Sequence, residues 1–180
     1  WGRDYHFLIT NTPPEIHPDE YIVGEFHWEM NEVRKYEFPE NVFELGRIAR
    51  ELGAGGTSHG HTCSDLAIGL ELGWNGILDK IDRNIEKYSF LHNDVKVNFL
   101  QGARYVCSGI IEWLKQYSEY AAKLAVEADS EEEKKRLLKI SEVCGSISCN
   151  PPKNYYEAVQ WIHFAVLSDR MVGHGNGYGR

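Results

Sequence analysis

Hydrophobic positions recur at helical spacing through most of the chain after residue 40. The clearest stripe predicts a long amphipathic helix over roughly residues 95–126. Its apolar positions are Phe99, Ala103, Val106, Ile110, Trp113 or Leu114, and Tyr117. A second helix is predicted after Ser64 or Asp65, either of which can cap it, with a break near Gly73. Its stripe consists of Leu66, Leu70, Trp74, Ile77, Ile81, Ile85 and Tyr88.

Three further helices are predicted from apolar spacing together with start and stop signals. Residues 40–52 form a short helix with Phe43, Ile48 and Leu52 facing inward. A capping box of Ser130 and Glu133 begins another, which carries Leu137, Ile140 and Cys144. Pro151 and Pro152 end any helix before them. Asn154 and Glu157 begin the last, whose packed side is predicted to be Tyr155, Val159, Ile162, Val166 and Asp169.

The remaining segments lack helical periodicity. Residues 1–40 are rich in aromatic residues, Pro and Glu and are expected to be irregular, with residues 21–26 as a short strand or extended segment. Residues 41–172 are the helical part, and the Gly-rich residues 173–180 resemble the start of a strand and loop. The fold class predicted for residues 1–180 is therefore mainly α.

Charge and cysteine content narrow the function classes. The 180 residues include 27 acidic and 19 basic side chains, a net charge of −8, which argues against nucleic acid or an anionic membrane as a partner. No secretory signal or membrane span is visible. The four cysteines are not expected to form a disulfide framework, because Cys107 and Cys144 lie on predicted helix faces and are expected in the core. A reducing, cytoplasmic location is expected.

The segment His59-Gly60-His61-Thr62-Cys63 is the strongest candidate for chemistry. Two imidazoles and a thiol suit a metal site, but a structural zinc site needs four ligands and the sequence shows no second paired element. The loop could equally cap the following helix, or one imidazole could hydrogen-bond a substrate. These readings stay open on residue types alone.

Four stretches in order resemble the glycyl radical enzymes, the pyruvate formate-lyase-like family. They are PPEIHPDEYIVGE, GHTCSDLAIGLELG, KRLLKISEVCGSISCNPPKNYYEAVQWIHF and the closing GHGNGYGR. The resemblance implies a ten-stranded β/α barrel enzyme of which this chain is a helical portion before most of the barrel. It implies cleavage of a small polar substrate by a thiyl radical, as in formate acetyltransferases, dehydratases and C–C lyases. An iron–sulfur activase using S-adenosylmethionine would install the glycyl radical, in an anaerobic cytoplasm.

The radical glycine and thiyl cysteine motifs are not found in these residues, so no catalytic residue and no bound cofactor are expected here, and the piece alone is expected to be inactive. The resemblance makes His61 a substrate contact that binds no metal, with Asn176 as a second contact. Where dehydratases of the family carry serine, Gly175, Asn176 and Gly177 stand instead, which leaves the substrate open. Expected partners are the rest of the barrel, the activase, a small-molecule substrate and a second copy in a homodimer.

Two other functions remain as alternatives. One is a stand-alone helical binding module that docks a partner through its aromatic N-terminal residues, Tyr5, Phe7, Tyr21, Phe26 and Trp28. The other is a small metal-dependent hydrolase that uses His59 and His61.

Overall fold

The computed structural model describes residues 1–25, 44, 47–48, 51–52 and 64–171. Five helices are described from end to end: α1 (Gly2–Thr10), α2 (Leu66–Phe90), α3 (Asp94–Glu127), α4 (Glu131–Ile147) and α5 (Tyr155–Arg170). The same ranges contain no strand. The prediction of a mainly α structure is therefore confirmed.

The long helix α3 is the centre of the assembly. It packs against α1, α2 and α4, while α5 packs against α2 and α4. An aromatic cluster closes the core between α3 and α5, where Trp113, Tyr117 and Phe164 are at most 1% exposed. Their ring centroids lie 5.0–5.4 Å apart with edge-to-face geometry, the arrangement that the ring quadrupoles favour. Burial raises the pKa of the Tyr117 hydroxyl well above its usual value.

Helix α1 corrects the expectation that residues 1–40 are irregular. Nine residues form only a marginal helix in water, so α1 depends on its packing against α3. A Cβ at Gly2 would lie 2.4 Å from the carbonyl oxygen of Gly102, and one at Gly109 would lie 2.8 Å from Ile9. The Gln116 side chain then donates to the Thr10 carbonyl at 2.9 Å. The two helices thus run side by side in the same direction.

Helix α2 confirms both its stripe and its break. Trp74 and Ile81 are buried, and the other apolar positions of the predicted stripe are partly buried. Gly73 has φ 63° and ψ 177°, which only glycine adopts readily, and it kinks the helix. A Cβ there would lie 2.4 Å from the Pro151 nitrogen, so the kink lets the loop after α4 approach the α2 backbone.

Helices α3 and α4 agree with the sequence except at Phe99. Ile110, Trp113, Leu114 and Tyr117 are buried, but Phe99 is 75% exposed. The first residue of α1, Gly2, contacts α3 at Gly102, one turn after Phe99, so α1 does not cover Phe99. In α4 the predicted residues Leu137, Ile140 and Cys144 are at most 3% exposed. The Ser130 side chain accepts the Glu133 N–H at 3.1 Å. The Glu133 carboxylate bonds Arg136 instead of completing the capping box.

Helix α5 begins where predicted but buries a different side. The Asn154 side chain accepts the Glu157 N–H at 3.0 Å and caps the helix. Tyr155 is 85% exposed, and Val159, Ile162 and Asp169 are only partly buried. Val166 is buried as predicted, but the rest of the buried side consists of Glu157, Gln160, Trp161, Phe164, Ala165, Leu167 and Ser168. The other four positions were wrong because two polar residues of the buried side, Glu157 and Gln160, are buried with hydrogen-bond partners and do not show as an apolar stripe.

The segment over residues 40–52 is described only in part. Glu44, Arg47, Ile48 and Glu51 are helical, but Ile48 and Leu52 are 37% and 77% exposed, so their inward orientation was wrong. Arg47 pairs with Glu44 and Glu51 along the surface, which stabilises a helix without burial. The Gly-rich residues 173–180 and Phe43 lie outside the described residues. None of the described helices is long and apolar enough to cross a lipid bilayer.

Candidate functional site

A hydrogen bond joins the start of α2 to the end of α5. The Ser64 hydroxyl lies 2.8 Å from a carboxylate oxygen of Asp169 and donates to it. The two residues are 105 positions apart in sequence. Ser64 follows His61 by three residues, and Asp169 precedes Asn176 by seven. The contact therefore holds together the points from which the two segments with the predicted site residues leave the helices.

A cleft of about 310 Å³ lies beside this junction. Its walls include the aromatic rings of Tyr5, Trp74 and Trp161, and its polar lining includes Ser64 and Asp169. The two tryptophan rings stack with centroids 5.0 Å apart and planes 28° apart. The volume lies at the lower end of the range of small-molecule sites, which are mostly apolar with a few polar groups. The cleft thus has the dimensions and lining of part of a ligand pocket.

Hydrogen bonds from side-chain hydroxyls to backbone carbonyls hold Tyr5, the α1 residue that lines the cleft, against α5. The Tyr5 hydroxyl donates to the Ser168 carbonyl at 3.0 Å, and the Ser168 hydroxyl donates to the Ala165 carbonyl at 2.7 Å. Burial raises the pKa of Tyr5 far above its ordinary value, so this hydroxyl stays protonated and keeps donating. Tyr5 is 4% exposed. It packs inside the protein and is not available as a docking residue for a partner, whereas Phe7 and Tyr21 are 51% and 60% exposed.

The first turn of α2 has no side-chain cap. Asp65 occupies the N-cap position without a capping hydrogen bond, and the Ser64 side chain bonds Asp169. The prediction that either residue caps the helix was wrong for the side chains. A longer-range partner, unseen from local sequence, takes the Ser64 hydroxyl.

The predicted site residues themselves lie outside the described part of the chain. This holds for His59, His61, Cys63 and Asn176, and for Phe26 and Trp28 of the docking hypothesis. Their assignments stay predictions. The expectation that Cys107 and Cys144 are core residues is confirmed, since they are 7% and 1% exposed. Burial raises the pKa of these thiols to about 11 and about 12, which leaves them neutral and poorly nucleophilic at pH 7.

Sequence reasoning did not single out a metal-capable group near the N-terminus. Glu15, His17 and Glu25 offer ligand atoms within 4.8 Å of one another, and His17 lies 2.8 Å from Glu25. The hydrogen bond to Glu25 and the charge of Glu20 raise the pKa of His17. Both members of the pair are about half exposed, and exposed acidic groups commonly cluster without a metal. The spacing i, i+2, i+10 gave no recognisable motif.

Comparison with known proteins identifies the family. The family model for pyruvate formate lyase-like proteins matches residues 48–179. The chain belongs to this family of glycyl radical enzymes.

Relatives within the pyruvate formate lyase-like family differ in reaction. The chain is 36% identical over 113 residues to indoleacetate decarboxylase of Tractidigestivibacter scatoligenes, covering 60% of this chain and 12% of that protein. It is 23% identical over 156 residues to (2S)-3-sulfopropanediol dehydratase of Klebsiella oxytoca, covering 84% and 18%. The chain thus spans less than a fifth of the length of these relatives.

The fold is that of a helical portion of the family's barrel enzymes. The crystal structure of a glycyl radical enzyme from Archaeoglobus fulgidus superposes with a TM-score of 0.72 at 20% identity, covering 93% of this chain and 28% of that structure. The predicted family and fold are confirmed.

Proposed function

We propose that residues 1–180 are part of one pyruvate formate lyase-like domain, in a glycyl radical enzyme that cleaves a small polar substrate after hydrogen abstraction by a thiyl radical. The observation that carries the proposal is family membership over residues 48–179, which supports the reaction class. The aromatic cleft beside the Ser64–Asp169 hydrogen bond supports a binding place for a small molecule. The parent enzyme would carry the glycyl radical, installed by a separate iron–sulfur activase in an anaerobic cytoplasm.

His61 is proposed as a substrate contact in this pocket. His61 precedes Ser64 by three positions, and three such steps span at most about 11 Å. That distance is short enough for an imidazole at position 61 to contact a ligand in the cleft beside Ser64. Neutral imidazole can donate or accept a hydrogen bond at pH 7, which suits binding of a hydroxyl group and transfer of its proton. Asn176 is proposed as a second polar contact from the segment after Asp169.

The reaction branch is proposed as a decarboxylation, a dehydration or another carbon–carbon or carbon–heteroatom cleavage, because the relatives include both a decarboxylase and a dehydratase. Indoleacetate and (2S)-3-sulfopropanediol, the substrates named for two relatives, are the first probes for the whole protein. If the whole protein converts neither compound, this result would argue against both the decarboxylation and the dehydration branch. The acetyltransferase branch is tested separately with pyruvate and coenzyme A.

Substitution of His61 tests its role in the whole, activated enzyme. We expect His61→Ala to leave the glycyl radical yield unchanged, because the residue acts on substrate and not on radical storage. Turnover of the probe that the wild-type enzyme converts should fall by about 10²-fold or more, the usual contribution of a positioned acid or base. Electron paramagnetic resonance measures the radical, and product formation measures turnover.

His59→Ala is the matched control, because the same substitution removes an imidazole two residues away. It should keep near-wild-type turnover. Wild-type turnover in His61→Ala would remove His61 from the pocket. Equal losses in both variants would indicate that the loop is needed only for folding. Metal analysis of the same preparations tests the hydrolase alternative, which requires stoichiometric metal that is lost when His59 and His61 are replaced.

A further inference from the structure

One side of α5 carries three polar side chains that bond the backbone of the N-terminal segment. Gln160 makes two of these bonds: the Val23 N–H donates to its Oε1 at 2.8 Å, and its Nε2 donates to the Val23 carbonyl at 2.7 Å. The Tyr156 hydroxyl donates to the Tyr21 carbonyl. His163 Nε2 lies 2.8 Å from the Gly24 carbonyl oxygen.

The order of these side chains matches the order of the backbone groups that they bind. Tyr156, Gln160 and His163 are four and three residues apart and therefore lie on one face of the helix. The seven steps from Tyr156 to His163 rise about 10.5 Å along the helix axis. Their partners Tyr21, Val23 and Gly24 follow in the same order, through a bend at Tyr21 and Ile22 and a φ of 117° at Gly24. The helix face and the segment thus run in the same direction.

Gln160 supplies the hydrogen-bond partners that the backbone of Val23 needs. Val23 is 0% exposed, so its N–H and carbonyl groups require protein partners. A glutamine amide offers one acceptor and one donor side by side, as a peptide group does. Gln160 is itself 1% exposed. Its buried amide and the Val23 backbone therefore satisfy each other.

The structure restricts which side chains fit at positions 23 and 24 of the segment but not at position 21. The Val23 side chain is fully buried, and Gly24 has φ 117°. A Cβ at Gly24 would lie 2.9 Å from Leu167 Cδ1 and 3.1 Å from Phe164 Cε1. In contrast, Tyr21 is 60% exposed. The helix face accepts an apolar residue followed by glycine, and it contacts Tyr21 through a backbone atom.

We propose that the face of α5 formed by Tyr156, Gln160 and His163 is a docking track for an apolar-Gly segment, and that residues 21–24 of this chain are its resident occupant. Gln160 is the positioning residue of the track. Helix α4 extends the track by one residue, because Arg136 donates to the Glu20 carbonyl while its guanidinium pairs with Glu133 at 2.5 Å. Burial raises the pKa of Tyr156 to about 12, so its hydroxyl remains a donor at neutral pH.

The docking track goes beyond the proposed radical chemistry and does not depend on it. It predicts which substitutions release the segment and which leave it bound. Hydrogen–deuterium exchange of the whole protein, read by mass spectrometry on fragments covering residues 20–25, measures release directly. Fragments covering residues 110–117 of α3 report global unfolding in the same experiment.

Gln160→Leu is the first test, since leucine is apolar and of similar size but cannot bond the Val23 backbone. We expect exchange over residues 20–25 to rise about tenfold, the effect of losing roughly one net hydrogen bond. Exchange over residues 110–117 should stay at the wild-type rate. Gln101→Leu, at an exposed glutamine of α3, is the matched control and should change neither fragment. Unchanged exchange over residues 20–25 in Gln160→Leu would overturn the proposal.

The occupant supplies a second test that leaves α5 intact. Gly24→Ala should raise exchange over residues 20–25 about tenfold or more, because the added methyl group meets Leu167 and Phe164 and the backbone is strained. Tyr21→Ala should leave it near the wild-type rate, because that side chain is mostly exposed. Equal effects of the two substitutions would contradict backbone recognition, as would a parallel rise in the α3 fragment for both Gln160→Leu and Gly24→Ala.

Discussion

At the scale of single residues, the same residue type has opposite roles at two glycine positions. Gly69 of α2 faces Trp161, which is 3% exposed and stacked on Trp74. A Cβ at Gly69 would lie 1.8 Å from Trp161 Cη2, so the absence of a side chain lets the tryptophan pack against the helix. A Cβ at Gly102 of α3 would meet nothing within 4 Å. Only the first glycine is needed for packing.

Alanine substitution at these two positions should change stability in opposite directions. Gly69→Ala should lower the free energy of unfolding by about 1–3 kcal/mol, the usual cost of overpacking a tight core. Gly102→Ala should raise it by about 0.5–1 kcal/mol, because alanine is the better helix former and has room. Urea denaturation of both variants measures the difference. A loss of stability in Gly102→Ala similar to that in Gly69→Ala would show that the two sites are equivalent.

At the scale of helices, hydrophobic periodicity predicted the buried side of a helix where its neighbours are apolar. It failed where the neighbour is a polar backbone segment. The stripes of α2 and α4 are packed as expected because their partners are other helices. The packed side of α5 includes Gln160 and Glu157, whose partners are backbone groups of Val23 and Lys153. No count of apolar residues could reveal it. Helix α1 was also missed, because its nine residues are held by α3, about a hundred positions away.

The sequence did predict the N-caps of α4 and α5, Ser130 and Asn154, and these caps can be tested. Asn154→Ala should lower the free energy of unfolding by about 1–2 kcal/mol, because the Glu157 N–H loses its acceptor. Asn84→Ala, in the interior of α2, is the matched control and should change stability by less than about 0.5 kcal/mol. There the side chain only donates to the Lys80 carbonyl, an already bonded helix group. Thermal unfolding followed by circular dichroism distinguishes the two. Equal shifts would show that Asn154 does not act as a cap.

At the scale of the whole molecule, the sequence predicted the family and the fold class better than the site. Four ordered motifs were enough for the family, because each was read in the context of the others. The cleft and the Ser64–Asp169 contact depend on residues 105 positions apart, and no local pattern joins such positions. His61 and Asn176 came from the resemblance and remain predictions.

Buried ionisable groups predict how the whole molecule responds to alkaline pH. Burial raises the thiol pKa from 9.0 to about 11 for Cys107 and to about 12 for Cys144. Between pH 9 and 11 the thiols of the unfolded chain lose protons that the folded chain keeps, so the free energy of unfolding falls as pH rises. Each fully shifted thiol contributes up to about 1.4 kcal/mol per pH unit. Below pH 9 this contribution is constant.

Urea denaturation at pH 8 and pH 10.5 measures this loss. Cys144→Ala should be less stable than the wild type at pH 8, because a buried side chain is truncated. Its further loss on going to pH 10.5 should be smaller, since one of the shifted thiols is gone. Identical losses in wild type and variant would show that Cys144 does not contribute to the pH dependence.

The contact between Ser64 and Asp169 has a consequence for how this part of the protein can be handled and how it can evolve. Helices α2 to α5 begin and end at positions that touch, so the chain enters and leaves this block at one place. Joining points that lie side by side at the surface are the ones that tolerate exchange of the material between them. Residues 64–169 are therefore the natural unit for building chimaeras between family members, with the segments that carry His61 and Asn176 left unchanged.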